Sequence, residues 1–512
     1  MYIQDSWKVT RRLTVNYGVR WDPFFAHTNP YGEVLTFSLD NFTNGVVSKV
    51  LPNAPAGMIF GGDPGLPKNQ YSNNKLNNFD PRIGVVFDPK GDGRMSIRAG
   101  YGIFYDFPSF AFDQFGFSPP WGANLTNTNT TLANPWANFP GGNPFPLPPP
   151  QNYVFPEGNA QLTYGYPLDL KPTYIEQYNL SVQRQMANNW LVSASYIGNV
   201  THHLWLNNPV NQAQFLGIGP CTINGVSYSE AQCDSTTTTA QRRRLNFVNP
   251  TWGPYYGETE VLDVGGNGYY NALILSGTHR FSHNFTSTTN YTWSRCVSDL
   301  YTPAVGLSLY SETRYNNRAA DRGPCPGADR RQVFNQTLVV SSPQYTNHAL
   351  RIIAGDWKMS VSALIQSGPP LNVSDVVDQA LNGNGTIQRP NQILPDPYLP
   401  NKGPGGWLNP KAFAEPDLGT YGNMGAGALR GPGAFVLNMA LVRDFRIRER
   451  HTVELRGEAF NLPNWTNPYN PVTTLTSANF GQIVPLSTAG LGAFTQSIND
   501  PRIMQFAVKY NF

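Results

Sequence analysis

The amino-acid sequence predicts an all-β protein whose antiparallel strands cross a membrane as a β-barrel, and three observations predict this fold class. The first is composition: charged residues make up only 13% of the 512 residues, aromatic residues also make up 13%, and the mean hydropathy is -0.36. A barrel with a lipid-facing band and a polar lumen combines many aromatic residues with few charges and a polar average. The net charge of +3 gives no indication of nucleic-acid binding.

The second observation is the segment at the end of the chain, residues 502–512. Apolar and polar side chains alternate there: Met504, Phe506, Val508, Tyr510 and Phe512 fall on one face, and Gln505, Lys509 and Asn511 on the other. This period of two is typical of a strand with one apolar and one wet face. A transmembrane barrel ends on such a strand because the last strand has to close the sheet.

The third observation is the length of the links between strands. About 13 strands can be counted, and the links between them alternate short and long along the whole chain. The long links are predicted at 25–77, 107–172, 201–266, 297–327 and 368–430, with one more before the terminal strand. Outer-membrane barrels have short periplasmic turns and long extracellular loops, whereas soluble sandwiches mix link lengths without this order.

The first strands show the clearest alternation. A short strand at 2–8 and a turn at 10–12 lead into a strand with Leu13, Val15, Tyr17, Val19 and Trp21 on one face and Arg20 and Asp22 on the other. The next hairpin joins strands at 82–87 and 95–106 through a turn at 88–93. Asp88 and Asp92 in this turn lack the other ligands of a calcium loop, so a plain turn is predicted.

The later strands follow the same rule. They are predicted at 173–186, 190–200, 267–281 and 285–296, then as one ending near Val340, one from Trp357 to Ile365, one through Leu437, Met439 and Leu441, one through Val453 and Leu455, and one at 502–512. The apolar residues of the strands at 13–22, 437–441 and 504–508 are predicted to point outward as one band. Arg20, Arg98, Glu454 and Lys509 are predicted to point inward.

The odd strand number predicts an incomplete barrel. An antiparallel sheet of about 13 strands cannot close, because its first and last strands would meet in parallel, and outer-membrane transporters have about 22 strands. We therefore expect an open, curved sheet of about 13 of 22 strands with edges at 2–8 and 502–512, or a barrel forced shut by an irregular seam. No apolar run is long enough for a transmembrane helix, and Met1 is not followed by a signal peptide. An exported barrel would therefore be expected to have a longer natural amino-terminus.

Several short segments resemble one family. The segment Tyr2–Arg20 resembles a hairpin of TonB-dependent outer-membrane receptors, and above all of the Oar-like group with its carboxypeptidase-regulatory-like domain. Further segments resemble the same group, in order along the chain: 79–84, 98–106, 269–273, 291–294, 429–433, 458–462 and 500–503. The signal peptide, the regulatory-like domain, the TonB box, the plug and the early barrel strands of that family have no counterpart here.

The resemblance implies a function. Residues 1–512 would be the carboxy-terminal part of a receptor barrel in the outer membrane of a Gram-negative bacterium, which captures a ligand with its outer loops. TonB would supply energy through a plug, and the outer-membrane insertion machinery would read the terminal strand through Phe506, Val508, Tyr510 and Phe512. The candidate ligand surface comprises the loop aromatics and the lumen residues Arg20, Asp22, Arg98, Asp106, Arg456 and Glu458. An iron chelate, a peptide and an oligosaccharide all remain open as substrates.

No motif indicates an enzyme, a cofactor or a metal. The sequence contains no G-x-S-x-G, H-E-x-x-H or Walker A motif. His202 and His203 are interpreted as a loop pair without a metal, and Arg242–Arg244 as a solvated loop. The glycines at 422–433 are interpreted as loop glycines. Glu454 and Glu458 are interpreted as a charge ladder with Arg456 rather than a catalytic carboxylate pair.

The four cysteines fall on the predicted outer side, which is an oxidising place. Disulfides Cys221–Cys233 and Cys296–Cys325 are predicted, the alternatives being free or cross-paired thiols. Each bridge would close a loop of modest length and contribute roughly 3 kcal/mol in the chain-entropy model.

A second hypothesis is a secreted or surface all-β adhesin or glycan-binding module, whose loop aromatics would stack on sugars. Such a module would be monodisperse in buffer without detergent, whereas a membrane barrel would require it.

Overall fold

One large antiparallel sheet dominates the computed structural model, which describes residues 1–106, 119–121, 131–136, 152–155, 157–158, 160–187, 189–282, 284–300, 312–384, 388–403, 405–448, 451–484 and 500–512. The sheet runs through thirteen strands that pair in chain order. They are β1 (Tyr2–Lys8), β2 (Leu13–Trp21), β3 (Phe79–Phe87), β4 (Met95–Tyr105), β5 (Tyr174–Ala187), β6 (Trp190–Pro209), β7 (Tyr256–Ser282), β8 (Phe285–Ser298), β9 (Gln332–Ser341), β10 (Trp357–Gln366), β11 (Ala434–Arg448), β12 (His451–Phe460) and β13 (Ile503–Asn511).

The sheet is open. Among the described residues, β1 pairs with β2 alone and β13 with β12 alone, so these two strands are the edges. The all-β, antiparallel fold class is confirmed, as are the odd strand number and the positions of both edges. No helix in the described part of the chain is long and apolar enough to cross a membrane.

The register places one row of apolar residues on a single face. Residues directly opposite each other in an antiparallel ladder point to the same side. One row of such partners contains Trp7, Val15, Val85, Ala99, Leu180, Tyr196, Leu273 and Trp293. A second row on this face contains Tyr291, Phe334, Ile365 and Phe435. A third contains Val361, Met439, Ala459 and Met504. The residues predicted to form the outward band on β2, β11 and β13 all lie on this face, called the apolar face below.

Polar groups on the apolar face bond to one another. The hydroxyls of Tyr178 and Tyr196 both donate to Asn271 Oδ1, at 3.2 Å and 2.6 Å. Thr289 and Gln336 form a second bonded pair on neighbouring strands. Such pairing satisfies groups that would be costly in hydrocarbon.

The opposite face is the polar face. The register places Arg20, Arg98, Glu454 and Lys509 on it, where they were predicted, and Glu454 lies opposite Lys509. It also carries Ser276 and Asn290 of the central strands, which are hydrogen-bonded to each other.

The long links fold into a layer at one end of the sheet. This loop layer contains the helices α1 (Leu39–Thr43), α2 (Glu230–Cys233) and α3 (Arg244–Val248) and the 3-10 turns Thr236–Thr238, Gly253–Tyr255, Arg318–Asp321 and Pro410–Ala412. Its short strands are Leu35–Phe37, Met58–Phe60, Ala160–Gly165, Cys221–Ile223, Val226–Tyr228, Gly323–Pro324, Pro370–Leu371, Asn391–Gln392, Tyr398–Gly403, Gly406–Leu408, Phe413–Ala414 and Leu429–Arg430. Two of them join the large sheet: Ala160–Gly165 pairs in parallel with β7, and Gly323–Pro324 pairs with β8.

The other end of the sheet has short turns. In the turn after β3, the Asp88 carboxylate accepts the backbone N–H groups of Lys90, Gly91 and Gly93 at 3.2 Å, 2.8 Å and 2.8 Å. These bonds lower the pKa of Asp88, and the bond from Gly93 has the largest effect. The backbone of the turn thus holds the carboxylate, as expected for a plain turn. The one longer turn at this end, between β9 and β10, contains helix α4 (His348–Ala354).

Two strands extend beyond their predicted limits. Residues 201–209 and 256–266, predicted as parts of a loop, continue β6 and β7 and pair with each other up to Glu260 and Pro209. The register shifts between Asp263 and Asn267, and these irregularities interrupt the alternation by which a strand is recognised in sequence. β3 begins at Phe79 rather than at 82, because the strand continues through Pro81, which lies opposite Val19 on β2.

Candidate ligand-binding surface

One group of charges lies on the polar face beside the first edge of the sheet. Arg20 on β2 and Asp22 just after it form an ion pair with 2.8 Å between Nη2 and Oδ2. Asp80 on β3 is directly opposite Arg20 and is buried. The guanidinium of Arg82 lies 4.7 Å above the ring centroid of Phe104. Charges of both signs and an aromatic ring therefore share one patch, which can bond a polar ligand and pack against its apolar part.

A second group lies beside the other edge. Arg456 Nε on β12 donates to Glu458 Oε1 at 2.7 Å, and the Gln505 amide on β13 donates to the other oxygen of Glu458. Since Glu454 lies opposite Lys509 two residues along, the charges alternate along this edge. This arrangement is the charge ladder predicted from the sequence.

The predicted lumen residues do not converge on one pocket. Arg20 is on β2, Arg98 on β4, and Arg456 and Glu458 are on β12, so the extreme members are separated by nine strands. Arg98 contacts Ser96 on its own strand, with 3.2 Å between Nε and Oγ. Asp106 follows β4, where its backbone N–H donates to Thr173, and its side chain is exposed.

Sequence reasoning missed Asp80 and Arg82 as members of the first patch. Both belong to a segment noted only for its family resemblance, and the strand was predicted to begin at Arg82. Extending the alternation of that strand backward past Pro81 would have placed both side chains on the face of Arg20.

In the described part of the loop layer, aromatic side chains build much of the core. Phe37, Phe42, Phe60 and Tyr256 are buried in one cluster, and Phe24, Tyr166 and Trp205 are buried in another. Phe37 and Phe42 both pack against Tyr256, at centroid distances of 5.3 Å and 5.4 Å. The aromatics left at the surface are different ones, including Phe25, Tyr31 and Trp465. Among the described residues, these three exposed side chains can contact a ligand.

The interpretation of residues 242–244 as a solvated loop is wrong. Arg242 is fully buried, and its guanidinium donates to the carbonyls of Gln214, Ser235 and Leu381 at 2.8–2.9 Å. A guanidinium has five donors in a fixed fork, so one side chain can bond three separate stretches of backbone. Arg242 is therefore a structural centre of the loop layer.

Buried ion pairs connect the loops further. Arg389 Nη1 lies 2.8 Å from Asp321 Oδ1, and both side chains are buried. Asp329, also buried, pairs with Arg430. The two pairs join the region between β8 and β9 to the region between β10 and β11, so these long links form one structure rather than separate loops.

A buried glutamate lies beside the half-buried Asp263 where β7 enters the loop layer. The Glu312 carboxyl is buried against Asp263, and Asp263 forms an ion pair with Arg318. Burial is the main cause that raises the pKa of Glu312 to about 8, and Asp263 raises it further. Glu260 is buried nearby and accepts from the Asn207 amide; burial raises its pKa to about 7.

The histidines lie on a strand rather than in a loop. His202 Nε2 is 3.3 Å from Glu176 Oε1 and its ring stacks on Tyr174, whereas His203 Nδ1 contacts the Val264 carbonyl at 2.9 Å. The two rings therefore have separate partners. No group of three or more potential metal-ligating side chains occurs within the described ranges.

The glycines at 422–433 lie in the loop layer, as predicted. A Cβ added to Gly422 would lie 2.0 Å from the carbonyl oxygen of Arg389, and one added to Gly431 would lie 2.5 Å from Asn470 Oδ1. Close packing of loops requires glycine at these positions.

The comparison with known proteins agrees with this architecture. The model of a family described as the outer membrane beta barrel domain matches residues 1–505. The chain belongs to this family. An outer-membrane β-barrel domain is located in the outer membrane of Gram-negative bacteria, so the apolar face contacts lipid, the loop layer is extracellular and the short turns are periplasmic.

Three solved structures are similar to parts of this chain's fold. The outer membrane transporter YddB from Escherichia coli is 11% identical, with a TM-score of 0.44 over 98% of this chain and 43% of its own. The FrpB iron transporter from Neisseria meningitidis is 10% identical, with a TM-score of 0.41; the match covers 100% of this chain and 44% of the transporter. The ferripyoverdine receptor from Pseudomonas aeruginosa is 9% identical, with a TM-score of 0.42; the match covers 100% of this chain and 38% of the receptor. The β-barrel domain thus spans less than half the length of these proteins. No curated protein matches it.

Both disulfide pairs lie in the extracellular layer of the barrel domain. Cys221 is joined to Cys233, with 6.0 Å between their Cα atoms, and Cys296 to Cys325, with 5.3 Å. The second bridge fastens the outer end of β8 to the loop that follows it. We expect peptide mapping without reduction to recover these two linked pairs from membrane-extracted protein. Four free thiols would contradict this pairing, and so would disulfides that join a cysteine of one predicted pair to a cysteine of the other.

The pKa of Glu312 predicts that the loop layer loses stability as pH rises. The folded state keeps a proton up to about pH 8, whereas an unfolded glutamate releases it near 4.5. Because the folded state binds more protons in this window, stability falls as pH rises from about 4.5 to about 8. Glu312→Gln, which mimics the neutral acid, should flatten this dependence. The check is the rate of proteolysis of the outer loops in intact membranes between pH 5 and 8.5; equal pH dependence in both proteins would show that Glu312 is not responsible.

Proposed function

We propose that this chain is the carboxy-terminal part of a TonB-dependent transporter barrel, which captures its ligand with the extracellular loops. The observation that carries the proposal is the folded loop layer at the end of an open sheet whose inner face is polar. A rigid outer surface above a polar lumen suits selection of a solute before it enters the barrel.

The open sheet supports a larger whole. Thirteen strands with two unpaired edges can close with antiparallel pairing only if further strands are added, and barrels of about 22 strands hold a plug in the lumen. In this proposal residues 1–512 form the later part of such a barrel. The plug, TonB, the early strands and an Oar-like regulatory domain would complete the receptor.

The ligand surface that we propose combines two charged patches with the exposed loop aromatics. The patches contain Arg20, Asp22 and Asp80 on one side and Arg456 and Glu458 on the other, with Arg98 and Asp106 between them along the sheet. Charges of both signs suit a polar ligand such as an iron chelate, a peptide or an oligosaccharide. We propose transport rather than catalysis, and the outer-membrane location removes the secreted form of the adhesin hypothesis.

Energised uptake tests this function. Cells that produce the full-length receptor would be given a labelled ferric siderophore, a peptide and an oligosaccharide, with and without a functional TonB. We expect uptake of one class that disappears without TonB, while binding to the cell surface remains. Uptake that is equal in both strains would show passive diffusion and contradict the proposal.

The terminal strand is proposed as the assembly signal. Phe506, Val508, Tyr510 and Phe512 all lie exposed on the apolar face of the last strand, where another protein can reach them. Deleting Phe512 from the full-length receptor should lower the amount of folded barrel in the membrane, measured by heat-modifiable migration on gels. An unchanged folded fraction would count against this role.

A further inference from the structure

The apolar face contains a shallow depression that is centred on Gly277 and crosses strands β5 to β8. Its volume is about 510 Å³, and its lining is mostly apolar, with Val182, Val192, Ala194, Leu275 and Tyr291 around the glycine and the polar residues Arg184, Ser193, Ser276 and Thr289 beside them. The volume lies within the range of about 300–1,000 Å³ that is usual for small-molecule sites. The depression opens toward lipid, because the register places its apolar side chains on the apolar face.

The missing side chain of Gly277 creates the depression. A Cβ added at this position would meet no atom within 4 Å. Other glycines of the same face are covered: the ring of Tyr178 lies over Gly198, and Phe506 lies over Gly457. At Gly277 no neighbouring ring fills the space, so an external group can occupy it.

A basic side chain borders the depression at its periplasmic end. Arg184 projects from the apolar face opposite Met95 and Val192, three residues before β5 ends at Ala187. Its side chain is exposed, and it forms no hydrogen bond or ion pair with any residue that the structure describes. A guanidinium facing lipid is costly unless an anion pairs with it, and it binds phosphate with two parallel hydrogen bonds.

Aromatic residues mark the depth of this end in the membrane. His279 on β7 lies between Trp190 and Phe285, at ring-centroid distances of 4.7 Å and 4.0 Å. All three belong to the turn ends of their strands. Aromatic girdles lie at the level of the lipid headgroups, so Arg184 reaches the phosphates of the periplasmic leaflet while the depression extends into the acyl chains.

We propose that this depression binds an anionic phospholipid of the periplasmic leaflet, whose acyl chain covers Gly277 and whose phosphate pairs with Arg184. The site stands on the outer-membrane location alone and is independent of the transported substrate. Its position at the periplasmic end selects a phospholipid of that leaflet over the phosphorylated lipids of the outer leaflet.

Native mass spectrometry of the full-length receptor in detergent, titrated with phosphatidylglycerol or phosphatidylcholine, tests the proposal. We expect tighter binding of phosphatidylglycerol by the wild type. Arg184→Gln should weaken it about tenfold, as loss of a charge-assisted hydrogen bond predicts. Gly277→Leu should weaken binding of both lipids, because the new side chain fills the space of the acyl chain.

Two substitutions on the same face serve as controls. Arg295→Gln removes the same charge at the outer end of β8, and Ala363→Leu introduces the same leucine side chain on β10, away from the depression. Both should bind lipid as the wild type does. The proposal is overturned if Arg184→Gln binds phosphatidylglycerol like the wild type, or if Arg295→Gln loses as much as Arg184→Gln. Heat-modifiable migration confirms that each variant is folded, and Arg184→Gln alone decides if Gly277→Leu does not fold.

Discussion

Replacing Met439 with arginine should destabilise the folded barrel by roughly 2–4 kcal/mol, the cost of placing this residue against lipid near the middle of the bilayer. Met439 lies on the apolar face of β11, with Val361 and Ala459 as its neighbours on the adjacent strands. None of these neighbours can bond a guanidinium. The effect is measured as the denaturant midpoint of the full-length receptor in lipid vesicles.

The adjacent residue provides a matched control. Ala440 is on the same strand at almost the same depth but on the polar face, opposite Ser360 and Glu458. Ala440→Arg should therefore change stability by less than about 1 kcal/mol, because water reaches the new charge. Equal losses in the two variants would contradict the assignment of the faces.

Replacing Arg242 with alanine should lower the free energy of local unfolding of the extracellular layer by about 3 kcal/mol or more. The substitution removes the present donor from the buried carbonyl of Leu381, from the partly buried carbonyls of Gln214 and Ser235, and from the Thr238 hydroxyl. Each unsatisfied buried group costs about 1–3 kcal/mol, partly offset where water enters. The measurement is native-state proteolysis of the outer loops in intact membranes.

Arg244→Ala is the control for this prediction. Arg244 is partly exposed, and its main contact is with the Tyr315 ring at 4.3 Å, which is worth about 0.5–1 kcal/mol. Its loss should leave the outer loops almost as resistant to proteolysis as in the wild type. If both variants are digested at the same rate, the burial of Arg242 does not hold the layer together.

The strands could be predicted because each one carries its own signal. Alternation on β2, β4, β11 and β13 depends on residues two apart, and the turns between them are short and local. The open edges followed from counting these elements. By contrast, the outer extensions of β6 and β7 are held by pairing with each other across 46 intervening residues, from Pro209 to Tyr256, and no local pattern marks such pairing.

The loop layer was beyond prediction for the same reason. Arg242 bonds a carbonyl at position 381, and Arg389 pairs with Asp321, so the partners are far apart in sequence. A run of three arginines usually indicates a solvated surface, and only the surrounding loops turn it into a buried centre. Alternation was enough to place Arg20 and Glu458 on the polar face, but it contains no information about which strands stand opposite each other across a lumen.

Alternation of environment along β11 in the membrane tests most directly whether the apolar face contacts lipid. Nitroxide labels would be attached at single cysteines placed from residue 435 to 445 of the full-length receptor, and accessibility to oxygen and to a water-soluble nickel chelate would be measured in lipid vesicles. We expect maxima for oxygen at the odd positions, including Leu437, Met439 and Leu441, and maxima for the chelate at the even positions, including Asn438 and Ala440. Accessibility without a period of two, or maxima for the chelate at the odd positions, would contradict a lipid-facing apolar face.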